Sequence, residues 1–247
     1  DLSYSSSSSS TRGATGNYSV ASGWQTIASG NYSVASGWQT IASGNYSTAM
    51  GVSTTASGTE STATGWQTTA SGIGSTAMGE QTTASGESST AMGYQSTASG
   101  IGSTAMGKST ASGTYSSAIG YDAVASGDGS TAMGASTTAS GDYSTAMGGS
   151  STASGSYAVA MGVSTTASGD YSTATGRDTT ASGQASTTMG YQTTASDYGS
   201  LVIGQYNSSG SSATSSTSFS TSVPAFVIGN GTASNAKSDA FKVMFNG

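Results

Sequence analysis

The 247-residue chain contains no cysteine, no histidine and a single proline, Pro224. Without cysteine, a disulfide framework is impossible. Without cysteine or histidine there is no Ser-His-Asp triad, no thiol nucleophile and no zinc site of the usual kind. Charge is scarce as well, with 5 basic and 11 acidic residues for a net charge of −6. A nucleic-acid binder would carry a basic stripe, so that class of partner is excluded. No run of about 18 apolar residues occurs, so no segment is expected to insert in a membrane as a helix. No signal peptide is visible, and Asp1 suits the start of a processed chain.

Glycine, serine, threonine and alanine make up most of what is present. Such bias usually signals disorder, but disorder comes with high charge and proline, both lacking here. A strict repeat is the other cause of biased composition. Glycines fall seven residues apart from Gly16 to Gly107, resume at Gly113 after one residue is missing beyond Lys108, and continue to Gly190. Asp197 stands in for the next, and Gly204 closes the array. The halves alternate between S-T-A-M-G and T-T-A-S-G, giving a fourteen-residue unit repeated about fourteen times, seen cleanly at residues 143–156.

A seven-residue period suggests a coiled coil, but a glycine in every heptad costs a helix about 1 kcal/mol each. Collagen needs glycine at every third position. The intervening Thr, Ser and Val favour strands. The period therefore predicts an all-β fold, a parallel β-solenoid with two short strands per fourteen-residue coil. Glycine is expected at each corner for its positive φ or for close approach.

Strand alternation assigns the faces. The Ala two before each Gly points inward into a thin roll, and the residue just before Gly points out. In one phase that outward residue is Met50, Met78, Met92, Met106, Ile119, Met133, Met147, Met161, Met189 or Ile203, interrupted by Thr64 and Thr175 and preceded by Ser22 and Ser36. In the other phase it is always Ser. An alanine-filled roll buries little at about 25 cal/mol per Å², so a lone chain would be marginal. An apolar ladder on its outer face is predicted to be the subunit interface. The alternative packs Met inside, in a space too narrow for it beside Ala.

Aromatics flank the Met strand: Tyr18, Tyr32, Tyr46, Tyr115, Tyr143, Tyr157 and Tyr171 before it, and Trp24, Trp38, Trp66, Tyr94, Tyr121 and Tyr191 after its glycine. They are expected to stack in ladders about 4.8 Å apart. They either seal seams between subunits or, with Trp24, Trp38, Trp66 and Tyr94, form a surface rail for carbohydrate. Asn17, Asn31, Asn45, Asn207 and Asn230 begin N-x-S/T sequons and are possible glycosylation sites, unless Asn simply suits the turn. Carboxylates such as Glu60, Glu80 and Asp142 sit singly at turns, so solvated corners are expected rather than a metal or acid–base pair. The Ser/Thr face is a flat hydroxyl array, the kind of surface an ice-binding solenoid presents. No cofactor and no catalytic group is expected.

The ends differ from the array. Residues 1–13 read as a Ser-rich arm, 14–204 as the solenoid, 205–224 as a Ser-rich connector and 225–247 as a β-hairpin cap or neck. Phe241, Val243 and Phe245 alternate with Lys242 and Met244 in the last strand.

S-T-A-M-G and T-T-A-S-G, with S-V-A-S-G at 19–23 and 33–37 and S-S-A-I-G at 116–120, resemble the head repeats of trimeric autotransporter adhesins of the YadA type. The C-terminal F-V-I-G-N-G-T…S-D-A-F-K-V-M-F-N-G is similar to segments that follow such repeats in fibre-type proteins. The resemblance implies a left-handed roll, a homotrimer, and adhesion to host, matrix or glycan surfaces from an extracellular or cell-surface location. A head-to-tail filament subunit or virion fibre would use the same repeat.

Overall fold

A computed structural model describes residues 2–4 and 12–246. Every regular element in it is a strand. The chain comprises two compact units, residues 1–121 and 122–247.

In the first unit, strands of five residues such as Val34–Trp38, Thr48–Val52 and Thr76–Glu80 alternate with strands of two, such as Ile41–Ala42 and Thr55–Ala56. Each pairs in parallel with its counterpart fourteen residues on: Ala35 lies beside Ala49, Ser36 beside Met50 and Gly37 beside Gly51. Like residues therefore fall into columns. Between coils every side of the roll is bonded, by Val34 N–H to the Ser47 carbonyl at 2.9 Å and Ser43 N–H to the Ala56 carbonyl at 2.9 Å. The residue missing after Lys108 shortens the offset there from fourteen to thirteen, so that Thr97 lies beside Thr110. What is lost is a corner residue, and strand Thr104–Ala111 runs on through that corner. Ser109 settles there, its hydroxyl donating to the Met106 and Ala118 carbonyls at 3.1 and 2.9 Å. At the other end, Leu2–Tyr4 pairs in parallel with Ser22–Trp24. Part of the Ser-rich arm thus adds a strand, and residues 5–11 lie outside the described residues.

The second unit repeats the plan, with Thr131–Ala135 beside Thr145–Gly149 and Thr138–Ala139 beside Thr152–Ala153. Its last coil is closed differently. Strand Pro224–Asn230 lies parallel to Leu201–Gln205, setting Gly229 beside Gly204, and pairs antiparallel with Asp239–Met244. The connector between them folds across the open end: Tyr198 N–H bonds the Ser215 carbonyl at 2.8 Å, and Gln184 N–H bonds that of Ser216 at 2.8 Å.

The interior is alanine and hydroxyl. Ala49, Ala56, Ala146 and Ala153 are fully buried, and so are Ser47, Thr54, Ser144 and Ser151, four places before each glycine. Strand alternation places these hydroxyls inward beside the alanines, an addition to the all-alanine interior expected above. In the Met half several close their own turn, as Ser33 and Ser47 do by donating to Gly30 and Gly44 carbonyls at 2.6 Å. In the Ser half Thr40, Thr54, Thr68 and Thr82 bury their hydroxyl oxygens without a hydrogen-bond partner. Each such group costs about 1–3 kcal/mol, which makes an already thin core thinner in energy.

The expectation that glycine carries the left-handed corners holds in part. The Met-half glycines do have positive φ, as at Gly51 (124°) and Gly162 (135°). The tight left-handed corners fall instead to Tyr32 (59°), Gln39 (55°), Ser53 (54°), Glu60 (60°), Tyr157 (58°) and their counterparts. Such φ is uncommon for a tyrosine. It is held because the N–H of that corner residue bonds the previous coil's corner: Tyr46 to the Asn31 carbonyl and Ser53 to that of Trp38, both at 2.8 Å.

Candidate functional site

The chemistry of the array lies in outward columns, each fixed by the strand or corner that carries it.

The Met column leaves the five-residue strands on the side opposite the buried alanines. In the first unit Met50 is 41% exposed and Met78 38%, while Met92 and Met106 are half-buried against their neighbours. Ile119 is exposed in the same way. In the second unit Met133, Met161 and Met189 are exposed, with Met147 and Ile203 half-buried. Met78, Met92 and Met106 succeed one another in register, as do Met133, Met147 and Met161. Each unit therefore shows water a ladder of thioethers one residue wide on the outer face of its five-residue strands.

The Ser column leaves the two-residue strands. Ser57 and Ser154 are exposed, with Thr55 and Thr152 half-exposed two places before them. Only Ser196, at the last coil, is covered, its N–H bonded to the Gly210 carbonyl at 2.9 Å.

The corners carry the aromatics. Tyr18, Tyr32 and Tyr46 stack with centroids 5.0 and 5.1 Å apart, and Tyr143, Tyr157 and Tyr171 at 5.1 and 5.2 Å. Planes differ by no more than 14°. Tyr115 instead lies over the backbone of Gly102, where an added Cβ would touch its ring. Trp24 and Trp38 stack at 5.3 Å and 7°. Sugars stack on ring faces, and in this pair the facing sides are used by the rings themselves. Trp38 and Trp66 are separated by Val52, and Trp66 and Tyr94 by Glu80, so the four are not a continuous rail. Beside them runs a glutamine ladder, Gln25–Gln39 at 3.0 Å, Gln67–Gln81 at 3.1 Å and Gln81–Gln95 at 2.9 Å. This ladder is additional to the expected columns, and its signal in the sequence is the glutamine of G-W-Q-T recurring at a fourteen-residue spacing.

The sequon asparagines work in the turns. Asn31 and Asn45 accept through Oδ1 from the N–H of Asn17 and Asn31, at 3.1 and 3.0 Å. Asp142 and Asp170 do the same for Asp128 and Ser156. These four lean on the turn N–H one coil back. Asn207 is different: it is buried, its Oδ1 accepts from Thr194 N–H at 2.8 Å, and its amide donates to the Thr194 and Ser209 carbonyls at 2.9 and 2.7 Å. It imitates the backbone of a missing next strand. Asn230 is exposed and its Oδ1 accepts from the Ser238 hydroxyl.

Asp197 holds the other half of that closure. Its Oδ1 accepts from the N–H groups of Thr214 and Ser215 at 2.7 and 2.8 Å. Nearby, Tyr206 meets Tyr191 edge-on at 5.2 Å, and the hydrogen bond between them holds the Tyr206 phenol above its ordinary pKa.

Parallel coils, in-register columns and an alanine–hydroxyl interior define a structural β-solenoid repeat protein. The chain belongs to the YadA head domain repeat family, whose pattern matches in nine segments, some of them overlapping, that run from residues 14–40 to 181–207, each spanning two copies of the repeat. No curated protein matches the chain.

Proposed function

We propose that this chain is a non-enzymatic extracellular head that assembles as a homotrimer and presents repeated columns to a host, matrix or glycan surface. The Met/Ile ladder carries the reading. A roll filled with alanine and unpartnered hydroxyls gains little from its own interior, while its largest unbranched apolar side chains stand outside in register. Docking Met92, Met106 and their counterparts against other copies would supply the burial the interior lacks. Family membership supports the same arrangement, and three copies would multiply any weak contact.

Sedimentation or light scattering tests this directly. The native chain is expected at three times its 23.8 kDa mass. Met92→Asp with Met147→Asp is expected to give monomers. A stable monomer of the native sequence, or unchanged assembly of the double variant, overturns the proposal. Asn17, Asn31, Asn45 and Asn230 are exposed and remain proposed acceptors for a glycan, whereas Asn207 has its amide engaged. An intact mass equal to the bare polypeptide from a glycosylating host removes that part.

A further inference from the structure

From the two tyrosine stacks we infer that this protein is a substrate for oxidative tyrosine coupling, in which dityrosine bonds join neighbouring coils within one chain. The reaction goes beyond the trimer proposal and does not depend on it.

The chain has no cysteine, so no disulfide can tie one coil to the next. Tyr18, Tyr32 and Tyr46 in the first unit, and Tyr143, Tyr157 and Tyr171 in the second, occupy the same corner of successive coils. Their backbones are fixed alike, with φ of 57–59°. The N–H of Tyr32, Tyr46, Tyr157 and Tyr171 each bonds a carbonyl one coil back at 2.8 Å. Rings so anchored stack 5.0–5.2 Å apart and nearly parallel. The six side chains are at least half exposed, Tyr18 most of all. A phenol at these corners meets an oxidant from solvent and has a second phenol as its nearest ring.

The chemistry needs a one-electron oxidant, namely hydrogen peroxide with a peroxidase. Two phenols each lose a hydrogen atom from oxygen and become phenoxyl radicals. Their ortho carbons join in one new C–C bond. The two ring hydrogens at those carbons then move as protons to the oxygens, restoring both aromatic rings. The net loss is two hydrogen atoms per bond, and one peroxide is reduced to two waters. Because the partners are held together, the yield per chain does not fall on dilution.

Four other tyrosines are built-in controls. Tyr115 has Gly102 beneath it rather than a ring. Tyr121 lies under the Lys108 ammonium, and Tyr191 and Tyr206 meet edge-on. None of these is expected to couple.

The test is peroxidase treatment of the purified full chain at several dilutions, followed by trypsin and mass measurement. Cleavage after Arg12, Lys108 and Arg177 separates the stacks into peptides 13–108 and 109–177. Each is expected to lose two hydrogen masses per bond, with blue dityrosine fluorescence and without joining another peptide. Peptide 178–237 is expected to gain no such bond. Tyr32→Phe with Tyr157→Phe keeps the stacks but removes each middle phenol, and is expected to lose the product. Tyr115→Phe is expected to keep it. Absence of dityrosine in the native chain, product only between chains, a yield that falls with dilution, or undiminished product in the double variant would each overturn the inference. A changed oligomeric state in the sedimentation experiment leaves it standing, so the two proposals fail separately.

Discussion

The two strands of each coil are spelled almost alike and use their glycines differently. In the Met half, Gly79 has φ of 116°, and a Cβ there would overlap the Gly93 carbonyl oxygen. In the Ser half, Gly86 has no positive φ, but a Cβ would overlap the carbonyl oxygen of Gly100. One glycine serves a backbone shape and a close approach; the other serves the approach alone. The comparison shows that the stacking of coils, more than the bending of the chain, makes the array intolerant of side chains.

The difference can be broken in graded steps. Gly79→Ala meets both barriers and is expected to cost more than about 4 kcal/mol, with loss of the flanking coils in urea-monitored circular dichroism. Gly86→Ala meets only the steric one and is expected to cost about 3 kcal/mol in the same assay. If the two are equal, the positive φ contributes nothing. Asp197→Ala tests the one place where the Ser-half glycine is replaced. There the connector, in place of a further coil, covers the corner, and two hydrogen bonds to a carboxylate would go. About 2 kcal/mol is expected, read as faster amide exchange at Thr214 and Ser215. Gly149→Tyr completes the series. Nothing lies within 4 Å of a Cβ at Gly149, so stability is expected to change by less than about 0.5 kcal/mol.

Much of this was legible in the letters. A seven-residue glycine period, an alanine two places earlier and an alternating Met or Ser between them fixed the coil, the inward face and the outward columns. The stacking of Trp24 on Trp38 was legible too, from their fourteen-residue spacing. Two features were not. The left-handed corners at Tyr32 and Gln39 depend on bonds to the preceding coil, and propensity read along one chain gives tyrosine no reason to be there. Asn207 looked like any sequon, because its capping role exists only where the stack runs out and Thr194 is left without a neighbour. Asp197 carried the same message in plainer form: a glycine becomes dispensable where no further coil follows.

The register itself has a genetic consequence. Most seams within a unit are the same seam, glycine over glycine and alanine over alanine, so recombination between such neighbouring repeats that adds or removes a whole coil creates no unfamiliar junction. Smaller changes are filtered harshly. The step after Lys108 survives because what it drops is a corner residue, leaving the buried Ser109 and Ala111 in their columns. Selection can thus adjust the number of coils in large, nearly neutral jumps while point insertions inside a strand are purged.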